Sequence, residues 1–415
     1  MANTFKFGNK NWAVKKDSVL AYNDENNNFK PLPFDFTRDS IATYVDSDGL
    51  IKTAQKGIAR IDYLDNADGH LLLEPARANL VANSNAPSSG GGRTTKSGTT
   101  IKFVDGVTDV QSDKSILASG TPYTYYNNIT LETNTPYTFS VFVRKTESNP
   151  LSVNHVKIAS TNRFPSNDTI FSLDSGTVVS TEHDNATITS FNDGWYRITV
   201  TEVSTSAGQG FNFIVYPAVD SSGTNADITA VGQEILYING FQIEEESYAT
   251  SYIPTEGSSV TRVADTCNDA GNSTVFDYSE GTFFMKVNLA DNSTSFRVSL
   301  SDGTGNNKLF IGTISSAYYY EVRAIDTSVS ASILSAITQD TSEVLLAGTW
   351  KQNEFKFFVN GTKVNEDLSG NTPVNLSKIR FNNLASINPF YGKVKDLRVY
   401  NTALTDAELI ALTSN

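Results

Sequence analysis

The stretch from Leu236 to Thr255, LYINGFQIEEESYATSYIPT, constrains the fold of this chain more than any other. Its first half alternates apolar and polar residues, as a half-buried β-strand does. Gly240 indicates a β-bulge that shifts this alternation by one residue. The residues predicted to face a core around the bulge are Leu236, Ile238, Phe241 and Ile243. Pro254 cannot donate to a sheet ladder. We therefore expect one domain to close here and another to begin.

Strand-like runs recur on both sides of this stretch. They include YTFSVFVRK, DTIFSL and WYRITVTEV before it, and GTFFMKVNL, YYYEVRAI and KIRFNN after it. Turn pairs such as Asp-Gly and Asn-Gly separate the runs. The chain has 24 Phe and 18 Tyr but only 2 Met, a bias that favours pleated sheets over helices. The sequence predicts an all-β protein of tandem β-sandwiches, the first of the jelly-roll type.

The first 83 residues predict a small β region of their own. A hairpin is indicated at Asp48-Gly49, and ARIDY and HLLLEP form a second pair of short strands. These strands are too few for a secure independent core, so we expect an adaptor that packs on another module or a partner. The expected divisions are an adaptor over 1–83, a jelly-roll domain over 84–256 and a second sandwich over 272–415. NSNAPSSGGG at 83–92 predicts a linker, and TEGSSVTRVADTCNDAGNST a polar connector.

Three ordered blocks resemble jelly-roll modules of bacteriophage virion proteins. They are FDFTRDSIATYVDSDGLI with ARIDY and HLLLEPARANLVANS, then FSLDSGTVVS with FNDGWYRITV, and finally QIEEESYATSYIPTEGSSVTRVADT. Together they cover roughly the first two thirds of the chain. The resemblance implies a virion component with carbohydrate-binding-like modules and, as its location, the virion. It does not name a ligand.

The C-terminal third carries a second resemblance. WKQNEFKFFVNGTKV and the ending FYGKVKDLRVYNTALTDAEL are similar to laminin G-like and concanavalin A-like lectin modules. Thr405 and Glu408 form a Thr-x-x-Glu capping box, which predicts one short helix. Leu404, Leu409 and Leu412 are expected to pack this helix on the sandwich.

Charge and cysteine content exclude several classes. A net charge of −13 and a pI near 4.8 argue against nonspecific binding to nucleic acid or to an anionic membrane. Cys267 is the single cysteine, so no intrachain disulfide can form. The N-terminus lacks a signal-peptide core, and no apolar run reaches the length of a membrane span. We expect a protein made in the bacterial host cytoplasm, without membrane insertion.

No arrangement of residues indicates catalysis. Glu244 and Glu246 share a strand face and could imitate a carboxylate pair, but a solvated strand end is the preferred interpretation. His70, His155 and His183 are scattered and have no associated nucleophile motif. We expect no catalytic residues, no metal ligands and no cofactor. The protein is therefore predicted not to be an enzyme.

Aromatic clusters offer the functional lead, because sugar rings present C–H faces that stack on aromatic rings. TPYTYYNNIT and SSAYYYEVRA place tyrosines among polar neighbours, and a tryptophan follows the Asn-Asp-Gly turn at 192–194. The candidate glycan-binding residues are Tyr123, Tyr125, Tyr126, Trp195, Tyr318 and Tyr320. Packing in a core or on a sheet remains the alternative for each. In SSAYYYEVRA, Tyr319 points away from its two neighbouring tyrosines, so one side of that strand could be wet.

The resulting prediction is a phage tail or head fibre, or decoration protein, that adheres noncovalently to host-surface or environmental glycans. Its expected partners are glycans, other virion proteins and further copies of itself. The resemblance implies a homotrimer. Two alternatives stay open: an assembly protein of capsid or tail that binds no sugar, and a polysaccharide depolymerase.

Overall fold

A computed structural model describes residues 3–24, 28–84, 94–101, 110–117, 124–126, 129–147, 151–210, 213–226, 234–324, 329–384 and 387–414. Strands account for nearly all of their regular structure, which confirms the all-β fold class. The strands of the first half are β1 (Asn3–Gly8), β2 (Val14–Lys15), β3 (Ser18–Val19), β4 (Tyr22–Asn23), β5 (Lys30–Pro31), β6 (Phe34–Thr37), β7 (Ala42–Val45), β8 (Ile51–Ala54), β9 (Arg60–Asp62), β10 (His70–Leu73), β11 (Arg77–Asn79), β12 (Thr94–Ile101), β13 (Val110–Leu117), β14 (Thr124–Tyr126), β15 (Ile129–Leu131), β16 (Pro136–Lys145), β17 (His155–Ser160), β18 (Asp168–Ser172), β19 (Thr177–Thr181), β20 (Asn185–Ser190) and β21 (Tyr196–Val203). The remaining strands are β22 (Gly208–Gly210), β23 (Phe213–Ala218), β24 (Glu234–Glu245), β25 (Val260–Arg262), β26 (Thr266–Asn268), β27 (Glu280–Leu289), β28 (Arg297–Ser301), β29 (Lys308–Ile314), β30 (Ala317–Arg323), β31 (Val329–Thr338), β32 (Glu343–Lys351), β33 (Glu354–Val359), β34 (Thr362–Asp367), β35 (Lys378–Arg380) and β36 (Gly392–Tyr400).

The chain divides into two compact units. Unit 1 comprises Met1–Ile41, Ala54–Pro75 and Val263–Asn415, and unit 2 comprises Ala42–Thr53 and Ala76–Arg262. This division differs from the expected three consecutive domains over 1–83, 84–256 and 272–415. Most of the expected adaptor belongs to the same unit as the C-terminal sandwich. The connector after Pro254 is also not a plain linker, because β25 and β26 form within it.

Unit 1 contains the large sheet that explains this difference. Its strand order is β34-β33-β32-β27-β36-β1-β4-β5, and β10 also pairs with β36. β1 pairs antiparallel with the second half of β36, from Asp396 to Tyr400, while β10 pairs with the first half. A second sheet of unit 1 has the order β31-β30-β29-β28-β35. The N-terminal strands therefore complete the C-terminal sandwich.

Aromatic residues from both ends of the sequence share the core of unit 1. Phe7 lies against Phe34 with 4.8 Å between ring centroids, and against Phe381 at 6.1 Å. Phe7 and Phe34 are 1% and 0% exposed. Burial of such rings stabilises a fold by about 1.5–3 kcal/mol each. The apolar residues of the N-terminal segment thus pack against the C-terminal sandwich of the same chain, and their burial does not require a second copy.

Unit 2 holds two larger sheets, with the orders β12-β13-β24-β16-β21-β20 and β14-β23-β17-β18-β19. The predicted bulge is confirmed: Gly240 has a φ of 65°, and the register of β24 against β16 shifts between Ser140 and Phe142. The core-facing residues predicted around it, Leu236, Ile238, Phe241 and Ile243, are all buried in one cluster. The hairpin at Asp48-Gly49 is also present, as β7 and β8. Most of the predicted linker at 83–92 lies outside the described residues.

A buried ionic network joins four of the sequence motifs inside unit 1. The Asp265 carboxylate accepts from Arg38 Nη1 at 3.0 Å and from Arg60 Nη2 at 2.5 Å. Arg60 Nη1 also donates to Glu74 Oε2 at 2.5 Å. Buried charges are tolerated when each is paired and hydrogen-bonded, as these are. The structural role therefore belongs to Arg38, Arg60, Glu74 and Asp265, one residue from each of the TRDS, ARIDY, LLLEP and RVAD motifs.

The helix α1 (Asp406–Thr413) covers part of the large sheet on the side away from the main core. Thr405 and Glu408 form both bonds of the predicted capping box, so that prediction is confirmed. Leu404 and Leu409 are buried with Phe284 and Phe358 of the sheet, and Leu412 packs at the edge. The helix leaves the neighbouring part of this sheet face uncovered.

Candidate functional site

The tyrosines of β30 do not form a surface platform. Tyr318 and Tyr320 are 2% and 0% exposed, and both belong to the core of unit 1. The Tyr320 hydroxyl donates to the Thr349 carbonyl oxygen at 2.9 Å, and its ring stacks on Phe357 at 5.8 Å. We therefore correct the expectation that these two rings contact sugar. Both rings lie on the face of β30 that packs in the core, and Tyr319, between them, lies on the opposite face.

The other candidate aromatics have different outcomes. Trp195 is 7% exposed, with the Arg144 guanidinium 5.5 Å from its ring centroid and Tyr237 at 6.4 Å. This placement fits the alternative of an anchor at the edge of a core. Tyr125 and Tyr126 lie on β14, where they pair with Ile214 and Phe213. Tyr123 lies outside the described residues.

The acidic run at the end of β24 is not simply a solvated strand end. Glu244 is fully buried and accepts hydrogen bonds from Gln242 Nε2 at 2.7 Å and from the Thr250 backbone N–H at 2.9 Å. Glu246 is half-buried and pairs with Arg77 at 3.4 Å. The sequence interpretation is therefore wrong for Glu244, whose carboxylate fixes the turn after the strand.

A polar pocket of about 310 Å³ lies on the sheet face beside α1. This volume is at the lower end of the range for small-molecule sites, roughly 300–1,000 Å³. Side chains from β27, β32 and β36 form its floor, and two loops and the helix form its rim. The lining residues are Asn9, Lys10, Asn66, Asp68, Gly69, Phe284, Lys286, Glu343, Lys395, Asp396, Arg398, Ala411 and Leu412. We call this the α1 pocket.

Hydrogen bonds to residues distant in the sequence fix the two rim loops. The Asn9 backbone N–H donates to the Lys395 carbonyl oxygen at 2.8 Å, so the loop after β1 is tied to β36. The Trp12 indole N–H donates to the Asp68 carbonyl oxygen at 2.9 Å and joins the two loops. At the rim, Lys10 Nζ lies 3.0 Å from Asp68 Oδ1, and both side chains are more than half exposed. The rim thus presents a cation and a carboxylate to an incoming ligand.

Charged groups on the floor alternate in sign. Glu343 accepts from Lys395 at 2.6 Å and lies 3.0 Å from Lys286 Nζ. Burial opposes ionisation of Glu343, but the hydrogen bonds from Lys395 and Lys286 outweigh it and lower its pKa. Asp396 accepts from Arg398 Nε at 3.0 Å and Nη2 at 2.5 Å. Burial raises the pKa of Asp396 despite these bonds.

An apolar strip completes the floor. Arg398 lies over the Phe284 ring at 5.8 Å, and Phe284 packs with the helix side chains. Leu412 lines the pocket from the helix. The pocket therefore combines fixed hydrogen-bond donors and acceptors with a small apolar surface. This combination suits a polyhydroxylated ring, which has apolar C–H faces and hydroxyl edges.

Sequence reasoning missed this pocket. Its rim comes from turns near residues 9–10 and 66–69, while its floor comes from residues after 284. The capping box predicted the helix, but no local sequence pattern indicated that the N-terminal loops lie beside it. Within the described ranges, no cluster of three or more His, Cys, Asp or Glu residues could hold a metal ion. No helix in those ranges has the length and apolar character of a membrane span.

Unit 1 is a β-sandwich, with its two sheets packed around one core. Residues 265–410 match the family described as the concanavalin A-like lectin/glucanases superfamily, in its Laminin_G_3 form. None of the curated proteins matches the chain as a relative.

Several solved structures are similar in fold to about a third of the chain. The CBM40 module of the Ruminococcus gnavus IT-sialidase, bound to α2,3-sialyllactose, is 18% identical, with 35% of this chain and 93% of that chain covered and a TM-score of 0.31. Domain 4 of AbnA, a GH43 arabinanase from Geobacillus stearothermophilus, in complex with arabinotriose, is 13% identical, with 41% and 83% covered and a TM-score of 0.31. The SAP-like pentraxin of Limulus polyphemus is 12% identical, with 33% and 70% covered and a TM-score of 0.26. At these values the likeness concerns fold alone and does not bear on a ligand.

Proposed function

We propose that unit 1 binds glycans noncovalently in the α1 pocket. The observation that carries this proposal is the pocket itself. Its floor, from Phe284 to Arg398, lies in the range that matches the concanavalin A-like lectin/glucanases superfamily, whereas its rim residues lie outside that range. Carboxylates such as Asp68 accept hydrogen bonds from sugar hydroxyls, while Lys10 and Arg398 donate to them. Leu412 offers an apolar contact to a C–H face of the ring, whereas Phe284 is buried beneath Arg398.

The size and opening of the pocket bear on the mode of binding. A volume of about 310 Å³ accommodates a terminal sugar or a short oligosaccharide rather than a long chain. The proposed activity is binding without bond cleavage, because Glu343 and Asp396 are each engaged by cations in the pocket.

The experiment is a glycan array probed with the full chain, followed by assay of bound sugars for release of reducing ends. Binding to a defined subset of glycans without release supports the proposal. Absence of binding across the array favours the alternative of an assembly protein, and release of reducing ends favours a depolymerase.

We further propose that the protein is a bacteriophage virion component, as a tail or head fibre or a decoration protein. Support comes from the sequence motifs described above, which resemble those of virion modules. A homotrimer would present several α1 pockets together, and multivalency would convert weak single-site contacts into strong attachment. Mass measurement of the full chain in solution tests the oligomer. Locating the protein in virion density tests the place in the particle.

A further inference from the structure

The outward face of the second sheet of unit 1 is separate from the α1 pocket and concentrates positive charge. Its cationic residues come from four adjacent strands, β35, β28, β29 and β30. They are Lys378, Arg380, Arg297, Lys308 and Arg323. Together with the outward residues between them, they form what we call the basic face. The whole chain, in contrast, carries a net charge of −13.

The register of the strands places these residues on one side of the sheet. Lys378 pairs with Ser301, Ser301 with Lys308, and Lys308 with Arg323. Residues directly opposite each other in antiparallel strands share a face, with about 5 Å between neighbouring strands. The result is a row that crosses four strands and contains three cations. The intervening residues, such as Leu309 and Val322, point into the core.

The neighbouring rows add aromatic rings. Phe310 pairs with Glu321 in the second row, and Tyr319 pairs with Gly312 in the third. The Arg297 guanidinium lies 4.7 Å from the Phe310 centroid and 5.7 Å from the Tyr319 centroid. Gly312 permits this arrangement because a Cβ there would come within 2.9 Å of the Arg297 side chain.

Carboxylates neutralise only part of this charge. Glu321 accepts from Arg323 Nε and from the Tyr319 hydroxyl. Asp269 lies 2.6 Å from Arg380 Nη2 and 3.6 Å from Lys378 Nζ. Arg297 is buried, and its Nη1 donates to the Phe296 and Thr313 carbonyl oxygens. Four partly exposed cations therefore face two carboxylates.

Lys308 makes no ion pair with any residue in the described part of the chain. Partial burial and repulsion from Arg323 lower its pKa, as expected for a cation among other cations. The Asp302 carboxylate, in the adjoining hairpin, is bonded to Thr304 and Asn307 instead. The attraction of Glu321 therefore compensates only part of the positive charge around Lys308.

We propose that the basic face binds an anionic polysaccharide, through carboxylate or sulfate groups that contact Lys308, Arg323 and Lys378. The row of cations matches an extended chain with repeated negative groups better than a single small anion. Ser299 and Ser301 lie in the same rows but are buried, so the contacts to the polymer come from the partly exposed cations. This site is independent of the α1 pocket and takes a different class of glycan.

The test compares two double variants of the full chain. Lys308→Gln with Lys378→Gln removes two charges from the basic face. Lys56→Gln with Lys351→Gln removes two charges from exposed lysines elsewhere in unit 1, whose side chains are 65% and 51% exposed. The immobilised probes are polygalacturonate, dextran sulfate, neutral dextran and duplex DNA. Thermal unfolding of both variants checks that the fold is intact.

The wild type is expected to bind polygalacturonate, dextran sulfate or both, more weakly as salt increases, and to leave neutral dextran unbound. The variant of the basic face should lose roughly tenfold in affinity, and the control variant should bind as the wild type does. The two acidic polymers distinguish carboxylate from sulfate recognition. Equal loss in both variants, no binding to either acidic polymer, or tighter binding to DNA than to both would overturn the proposal. A change at Asp68 in the α1 pocket should leave this binding unaffected. The proposals for the basic face and for the α1 pocket can therefore be contradicted independently.

Discussion

Arg60 and Asp265 lie 205 positions apart in the sequence, yet Nη2 of the arginine is 2.5 Å from Oδ2 of the aspartate in the interior of unit 1. Arg38 contacts the other carboxylate oxygen at 3.0 Å, so one aspartate pairs with two arginines. All three side chains are 0% exposed. Removal of the aspartate would leave two buried cations without their common partner.

The substitution Asp265→Ala is therefore expected to lower the free energy of unfolding of unit 1 by about 3–5 kcal/mol. Denaturant unfolding followed by circular dichroism measures this change. The matched control is Asp39→Ala, because Asp39 pairs with Lys56 at 3.1 Å while its side chain is 90% exposed. The control should show no measurable change. Similar effects of the two substitutions would contradict a buried network.

Phe7→Ala tests whether the N-terminal strands belong to the sandwich. The ring packs against Phe34 and Phe381, and its loss should destabilise unit 1 by about 3–5 kcal/mol. The exposed Phe29, at 57% exposure, provides the control, and Phe29→Ala should have little effect. If the first strands formed a separate adaptor, Phe7→Ala would leave the unfolding of the C-terminal sandwich unchanged.

These pairings mark the limit of what the sequence could predict. The bulge at Gly240 and the capping box of Thr405 and Glu408 depend on neighbouring residues, so their local patterns were sufficient. The pairing of β1 with β36 joins opposite ends of the chain, and no local pattern encodes which strand lies beside which. The sequence does not show that β36 is the partner of β1, and it therefore predicts a separate adaptor for the short N-terminal hairpins.

The same limit applies to the candidate site. Alternation along β30 correctly separated Tyr319 from Tyr318 and Tyr320, but it could not say which side faced the large sheet. The α1 pocket needed three distant segments to meet beside one helix. The basic face needed the register of four strands, since its lysines and arginines are separated in the sequence.

Tyr320→Ala distinguishes a core ring from a sugar platform. Because Tyr320 is fully buried and its hydroxyl bonds to the Thr349 carbonyl oxygen, truncation should destabilise unit 1 by about 3–5 kcal/mol. Tyr320→Phe retains the ring and should cost only about 1 kcal/mol. Thermal and denaturant unfolding give both values. A Tyr320→Ala protein of normal stability that had lost glycan binding would restore the platform interpretation.

The stability of unit 2 should depend on pH through His183. Its Nδ1 lies 2.7 Å from Thr169 Oγ1, and burial lowers its pKa to about 4, although Glu182 and Asp184 oppose the shift. The unfolded chain takes up this proton near pH 6.5, so the folded state loses relative stability as the pH falls from 6.5 to 4. The stability that unit 2 gains from keeping His183 neutral is therefore fully present above pH 6.5.

His183→Gln should reduce the decline in stability of unit 2 over that pH range. Denaturant midpoints at pH 7, 6, 5 and 4 compare the variant with the wild type. His155→Gln is the control, since His155 lies in the same unit. An equal decline with and without His183 would exclude it as the source.

The most direct test of the proposed function is the affinity of the Asp68→Asn protein, by titration calorimetry, for a glycan that the wild type binds. Asp68 lies on the rim of the α1 pocket, where its side chain is 51% exposed and contributes little to the fold. Loss of hydrogen bonds to a charged acceptor should weaken binding roughly tenfold or more, while Asp39→Asn binds as the wild type does. Wild-type affinity in Asp68→Asn, or an equal loss in both proteins, would contradict glycan binding at the α1 pocket.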